Sequence, residues 1–173
     1  MTRGGARPGA GRPKGQGRYQ EATKPLRVPA SLAESVLNFV QHKGYKLPLY
    51  ASTVSAGMPL PADDQMAGKL DLHELLIKNP EQSFLVRVTG ESMRNAGIHH
   101  DDILIVDRSL AAANGKVVIA ALHGQLTVKR LKTLPEGKVF LMPENEDFEP
   151  IEINPDEDIY IWGVVTKVIH AVS

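Results

Sequence analysis

Apolar residues fall along this chain in short runs whose spacing changes from one region to the next. Phe84 to Val88 (Phe-Leu-Val-Arg-Val) and Ile103 to Val106 read as strands. Lys116 to Leu122 and Gln125 to Leu131 read as two more, half or fully buried and joined as a hairpin at His123-Gly124. A further β-rich run spans Ile159 to Val168. Nearer the start the period lengthens. After a short alternating run from Thr23 and a proline at 29, Leu32, Val36, Phe39 and Val40 recur at i, i+4, i+7 and i+8, the spacing of one helix face. Ala30 or Ser31 is placed to cap that helix, whose apolar stripe needs a partner surface.

Between the helix and the first clear strand the pattern dissolves. From Leu47 to Ala62 small residues are flanked by Pro48, Pro59 and Pro61, which forbid a regular helix and favour extended backbone. Such a segment is an ordinary linker, or it is suited to a protease groove, where strand addition supplies main-chain hydrogen bonds. Its least hindered peptide bond is Ala56-Gly57.

Charge changes the picture because the average conceals it. The 173 residues hold 20 Lys+Arg and 20 Asp+Glu, a formal net charge of zero. Residues 1–27 nevertheless carry seven basic residues against Glu21 alone, a net +6, so the remainder carries −6. The first eighteen residues are rich in Gly and Pro and have too little side chain to build a core, which predicts an arm disordered when free. Arg3, Arg7, Arg12, Lys14 and Arg18 are its candidate DNA contacts, because Gly11-Arg-Pro-Lys14 resembles the arginine hooks that enter narrow minor grooves. A solubilising tail attracted to any polyanion is the alternative. With 42% hydrophobic residues the rest has material for a core. The polar start and the lack of a long apolar run lead us to expect a cytoplasmic protein with no membrane association.

The chain has no Cys, which excludes disulfides, thiolate metal sites and a cysteine nucleophile. Six His residues show no metal-ligand spacing, and His99-His100 reads as a solvated turn, so neither metal nor cofactor is expected. Any nucleophile must then be Ser, Thr, Lys or a carboxylate. Thr89-Gly-Glu-Ser-Met-Arg94 breaks sharply after the Phe84 to Val88 strand, Gly90 allowing the turn. If a short helix starts there, Ser92 lies at its N-terminus, either as a cap or as a nucleophile beside free N–H groups able to hold an oxyanion. Lys129 shares a strand face with Thr127 and Leu131. A Lys among apolar neighbours loses hydration, its pKa falls, and the neutral amine is a general base. Ser plus Lys is a known variant of the nucleophile-base arrangement. An exposed Lys at a strand edge is the alternative.

Gly90-Glu-Ser-Met93, Gly97-Ile98, Asp101 to Asp107, Asn114 to Ala121 and Leu126 to Leu131 together resemble the catalytic domain of the LexA/UmuD peptidase family, more closely its UmuD-type members. Leu72 to Pro80 and Trp162-Gly-Val-Val165 extend the resemblance from about Leu47 to the C-terminus. It implies a mainly β fold with partly open, barrel-like sheets, preceded here by the basic arm and a short helix. It also implies a Ser92 nucleophile, a Lys129 base, a self-cleavage bond at Ala56-Gly57, and an oxyanion hole for which the backbone of Ser92 and Met93 is the candidate. The expected organisation is an arm (1–22), a strand-helix module (23–46), a cleavage segment and linker (47–70), and a Ser-Lys peptidase domain (71–173).

The partners implied are a second copy of the chain, a RecA filament on single-stranded DNA, and a UmuC-like Y-family translesion polymerase in the SOS response. The run from Ile159 to Val168 is the candidate dimer edge. The segment before about Leu47 exceeds the typical UmuD-type pattern. Its strand, proline and helix resemble the opening of a ribbon-helix-helix module, or form an accessory helix that packs on the body or a partner. The first case makes residues 1–46 a DNA-binding module and the protein a self-cleaving LexA-like repressor.

Overall fold

In the computed structural model the described residues are 23–51, 66–154 and 159–172. They fall into two compact units, one ending at Tyr45 and the other starting at Lys46.

In the first unit α1 spans Ala33–Gln41, preceded by a 3₁₀ turn over Ala30–Leu32. The expected side-chain cap is not made by Ala30 or Ser31. Instead Pro29 opens the turn through its carbonyl, which accepts from the Leu32 N–H at 2.9 Å, and no side-chain cap bond forms. Leu32, Val36, Phe39 and Val40 form the expected stripe, and all four are exposed. Phe39 meets Tyr45 edge to face at 5.9 Å, and His42 stacks on Tyr45 at 5.1 Å. Residues 23–29 form no strand: an isolated strand leaves its backbone groups unpaired, and among the described residues no strand pairs with them.

In the second unit a two-stranded ribbon comes first. β1 (Leu47–Tyr50) pairs antiparallel with β2 (Met66–Leu70), so the two ends of the Pro-rich segment are hydrogen-bonded to each other. Asp71 caps the short α2 (Leu72–Leu76), accepting from the His73 and Glu74 N–H groups.

The remaining strands make one sheet in the order β3-β4-β9-β5-β6-β7-β8, all neighbours antiparallel. They are β3 (Ser83–Arg87), β4 (Ile103–Asp107), β5 (Val117–Leu122), β6 (Gln125–Thr133), β7 (Val139–Met142), β8 (Ile151–Ile153) and β9 (Ile159–Ile169). The fold is mainly β and the sheet is not closed. The hairpin turns at His123-Gly124 as expected, but the turn end of β6 is exposed, Leu126 included.

β5 explains why a continuous apolar run suits this sheet. Ile119 joins a core of Val88, Met93, Ile98, Leu104 and Val106, while Val118 and Ala120 join Leu131, Leu141 and Val164 on the opposite face. β9 is paired on both sides, by β4 and β5, which corrects the expectation that Ile159 to Val168 forms a sheet edge for a second copy, and it is irregular in two places. Its register shifts against Ile105/Val106 of β4 and against Ile119/Ala120 of β5, bulges that bend a strand and raise its twist.

At the second bulge a side chain would not fit. A Cβ on Gly163 would lie 2.8 Å from Val106 Cγ1 and 2.9 Å from the Asp107 carbonyl oxygen. Gly163→Ala is therefore expected to destabilise the protein by about 1–3 kcal/mol through overpacking, read as a lower urea midpoint at unchanged m-value.

Candidate active site

The turn that carries Ser92 is built from both of its ends. Gly90 leaves β3 at φ 92°, a conformation open to glycine and strained for other residues. Met93 and Ile98, 1% and 2% exposed, plunge into the core and tie down the loop between them. Beyond Ser92 the chain makes a single 3₁₀ turn over Arg94–Ala96 with Met93 as its cap, so the condition of a helix starting at the serine is not met. Arg94 to Gly97 is too short for a second turn because Gly97 takes a left-handed conformation. The serine is accordingly not the helix cap, and any anion-holding capacity comes from individual N–H groups. Among the described residues, neither the Ser92 nor the Met93 N–H donates to a protein acceptor.

A second set of contacts reaches this turn from the loop after β7. The Glu144 N–H donates to the Ser92 carbonyl at 2.8 Å, the Asn95 N–H donates to the Glu144 carbonyl at 2.8 Å, and Asn145 Nδ2 donates to the Glu91 carbonyl at 2.9 Å. Arg130, next to Lys129 on β6, holds Glu144 in an ion pair and donates to the Gly115 carbonyl at 2.7 Å. On the other side, His100 Nδ1 accepts from the Gly90 N–H at 3.3 Å, and the His100 N–H donates to Glu91 Oε1 at 3.1 Å. The His99-His100 turn is thus present but is bonded to the serine turn.

β6 delivers the amine. Lys129 is 6% exposed, and its Nζ lies 2.8 Å from Ser92 Oγ, 3.0 Å from Thr127 Oγ1 and 3.0 Å from the Val128 carbonyl. Two residues 37 apart in sequence are therefore in direct contact, and the strand-edge alternative for Lys129 falls away. Burial holds its pKa below the ordinary lysine value. Beside the pair is a cleft of about 260 Å³ lined by Val86, Val88, Leu104, Ile119, Leu126 and Val128 together with the polar Arg87, Thr89, Ser92 and Thr127. Its walls come from β3 and β6, which are separated in the sheet order by β4, β9 and β5, so the sheet curls around it.

Several anchors were not legible as site features in the sequence. Asp102, 3% exposed, accepts from the His99 N–H at 2.8 Å and lies 2.7 Å from His170 Nδ1. Burial acts to raise its pKa, but the His99 and His170 interactions outweigh it and the pKa is lowered. The Asp102–His170, Ser92–Glu144 and Glu91–Asn145 contacts join residues far apart in the chain, and no local motif announces them. Ala56 and Gly57 lie outside the described residues, as do Arg3, Arg7, Arg12, Lys14 and Arg18. Among the described residues no cluster of His, Asp and Glu is arranged to hold a metal ion, and no helix is long and apolar enough to cross a membrane.

Much of the chain is similar to known proteins. Residues 48–166 match the family described as Peptidase S24-like. Protein MucA of Salmonella typhimurium is 44% identical over 123 residues, covering 70% of this chain and 83% of that protein. Protein ImpA of Escherichia coli is 40% identical over 126 residues, covering 73% and 85%. The LexA repressor of Acidithiobacillus ferrooxidans is 42% identical over 120 residues, covering 67% of this chain and 57% of its own length.

The buried amine has a measurable consequence for stability. Between the lowered pKa of Lys129 in the folded chain and its higher value in the unfolded chain, the folded state binds fewer protons, so stability rises with pH across that window. The unfolding free energy of the wild type, relative to that of Lys129→Met, is expected to increase with pH through this range in urea titrations. A flat difference would show that the amine is hydrated like a surface lysine.

Proposed function

Given that this chain belongs to the S24-like peptidase family and is a self-cleaving serine peptidase, we propose that Ser92 is its nucleophile, Lys129 its general base and Ala56-Gly57 the bond it cuts. The observation that carries this reading is the 2.8 Å contact between Lys129 Nζ and Ser92 Oγ, beside a cleft that Ser92 lines. A neutral amine has two N–H donors and one lone pair. Thr127 Oγ1 and the Val128 carbonyl accept the two protons, which leaves the lone pair for the Ser92 hydroxyl to donate into.

The reaction then runs in two halves. Ser92 Oγ attacks the Ala56 carbonyl carbon as its proton passes to Lys129 Nζ. The N–H groups of Ser92 and Met93 hold the oxyanion. Lys129 returns the proton to the Gly57 nitrogen, the peptide bond breaks, and Ala56 remains as an ester on Ser92. Water, deprotonated by Lys129, releases it. Because the bond is tethered to the site, attack is unimolecular.

In the cell this reading makes the protein an SOS-response factor. A RecA filament on single-stranded DNA shifts the population toward the conformation in which the cleavage segment occupies the cleft. The product, a cytoplasmic homodimer, serves a UmuC-like Y-family translesion polymerase. The domain plan is an arm (1–22), a strand-helix module (23–46), a cleavage segment and linker (47–70), and a peptidase domain (71–173). Similarity to MucA and ImpA supports the UmuD-type role. A second reading, a self-inactivating repressor that binds DNA through residues 1–46, is favoured by the +6 charge of residues 1–27 and by similarity to a LexA repressor. Under either reading the product from Gly57 onward, with eleven basic and eighteen acidic residues, is net −7 and loses DNA affinity.

Intact mass after incubation at rising pH tests the chemistry. Wild type is expected to yield two fragments split at Ala56-Gly57, faster as Lys129 loses its proton. Ser92→Ala and Lys129→Ala should be slower by about 10⁴-fold or more. An uncut wild-type chain, both at alkaline pH and with RecA filaments, would refute the reading. The two cellular roles separate on binding. Operator-like DNA binding by the intact chain, lost on cleavage and weakened by salt, supports the repressor, whereas co-purification of the product with a polymerase supports the mutagenesis factor.

A further inference from the structure

The loop after β7 controls more than the position of the serine side chain. In a trans peptide unit the carbonyl oxygen and the following N–H lie in one plane and point in opposite directions. The Glu91 carbonyl therefore shares a plane with the Ser92 N–H, and the Ser92 carbonyl shares one with the Met93 N–H. Both carbonyls are hydrogen-bonded, Glu91 O by Asn145 Nδ2 at 2.9 Å and by the Arg94 N–H at 3.2 Å, and Ser92 O by the Glu144 N–H at 2.8 Å. With each oxygen held, each N–H points the opposite way and is left without a protein acceptor among the described residues.

Asn145 is the side chain in this arrangement, and its chemistry fits. It is 6% exposed, and its Oδ1 accepts from the Asp147 N–H at 3.1 Å while its Nδ2 faces the Glu91 carbonyl. One end must accept and the other must donate, so the two contacts together determine which way the amide points. Its loop is held in turn by the Arg130–Glu144 ion pair, and Arg130 is the next residue after Lys129 on the same strand. The base and the oxyanion donors are thereby referred to one rigid frame.

We propose that Asn145 is a positioning residue that orients the Glu91–Ser92 peptide so that its N–H serves as an oxyanion donor during self-cleavage. This rests on Ser92 being the nucleophile. The Arg130–Glu144 pair is the support that keeps Asn145 in reach.

Asn145→Asp in the full chain is the discriminating variant, because it keeps the oxygen that accepts from Asp147 and removes the donor to Glu91. Asn145→Ala removes the donor without adding charge. First-order self-cleavage rates are measured by intact mass across neutral to alkaline pH, with thermal unfolding of each variant and a Ser92→Ala control. Loss of one oxyanion donor lowers the rate about 10²-fold, so both variants are expected to fall by that factor at every pH. The midpoint of the pH profile, which belongs to Lys129, stays where it is in wild type, and the melting transition persists.

Variants that cleave within about twofold of wild type would overturn the proposal. So would a displaced pH midpoint, which would mean that Asn145 acts through the amine, or loss of the folded state in both variants, which would confine it to the fold. Continued cleavage by Ser92→Ala would instead overturn the nucleophile assignment on which the proposal stands.

Discussion

An amine taken out of water must be neutral or paired, and the architecture of the second unit reflects how Lys129 meets that condition. Among the described residues no carboxylate is a hydrogen-bond partner of this amine, whose partners are a threonine hydroxyl, a main-chain carbonyl and the Ser92 hydroxyl. Oxygen acceptors of this kind leave the charge uncompensated, so burial lowers the pKa with nothing to raise it. A glutamate in the place of Thr127 would have the opposite effect, holding the amine protonated as an ion pair.

Meeting Ser92 requires two parts of the sheet that are not neighbours to come together. Ser92 comes after β3, an edge strand, and Lys129 sits on β6, with β4, β9 and β5 between them. A flat sheet would hold these strands well apart, since adjacent strands are spaced about 4.8 Å. The two bulges in β9, the middle strand of the three, supply local bending, and Gly163 permits the close approach of Asp107 at one of them. The interior left by the curl is filled on the Ser92 side by Met93 and Ile98, so the core cluster and the serine turn are one structure.

The ribbon of β1 and β2 connects this unit to the proposed reaction. The segment between the two strands contains Ala56-Gly57, so a cut there leaves β1 on the N-terminal fragment and β2 on the body. Four exposed residues of β1 are then all that the ribbon offers to hold the fragments, and a lone two-stranded ribbon is marginal in water. Release separates opposite charges as well, the basic arm from a body of net −7.

Local pattern alone determined the strands around the site, because each is a compact apolar run with turn residues at its ends. Phe84 to Val88, Ile103 to Val106 and the hairpin closing at His123-Gly124 are of this kind, as is the spacing that makes α1. The serine and lysine were recognisable as a pair only through motif resemblance, since periodicity places Lys129 on a face without saying what that face meets. The absence of a side-chain cap on α1 and the single 3₁₀ turn after Ser92 depended on backbone geometry that neighbouring residues imposed. Only the tertiary structure decided the 2.8 Å contact, the Asp102–His170 link and the hold of Glu144 and Asn145 on the serine turn. These join positions 37 to 68 residues apart. Their partners are chosen by how the sheet curls, and that is a property of packing summed over the whole chain, which no window of sequence contains.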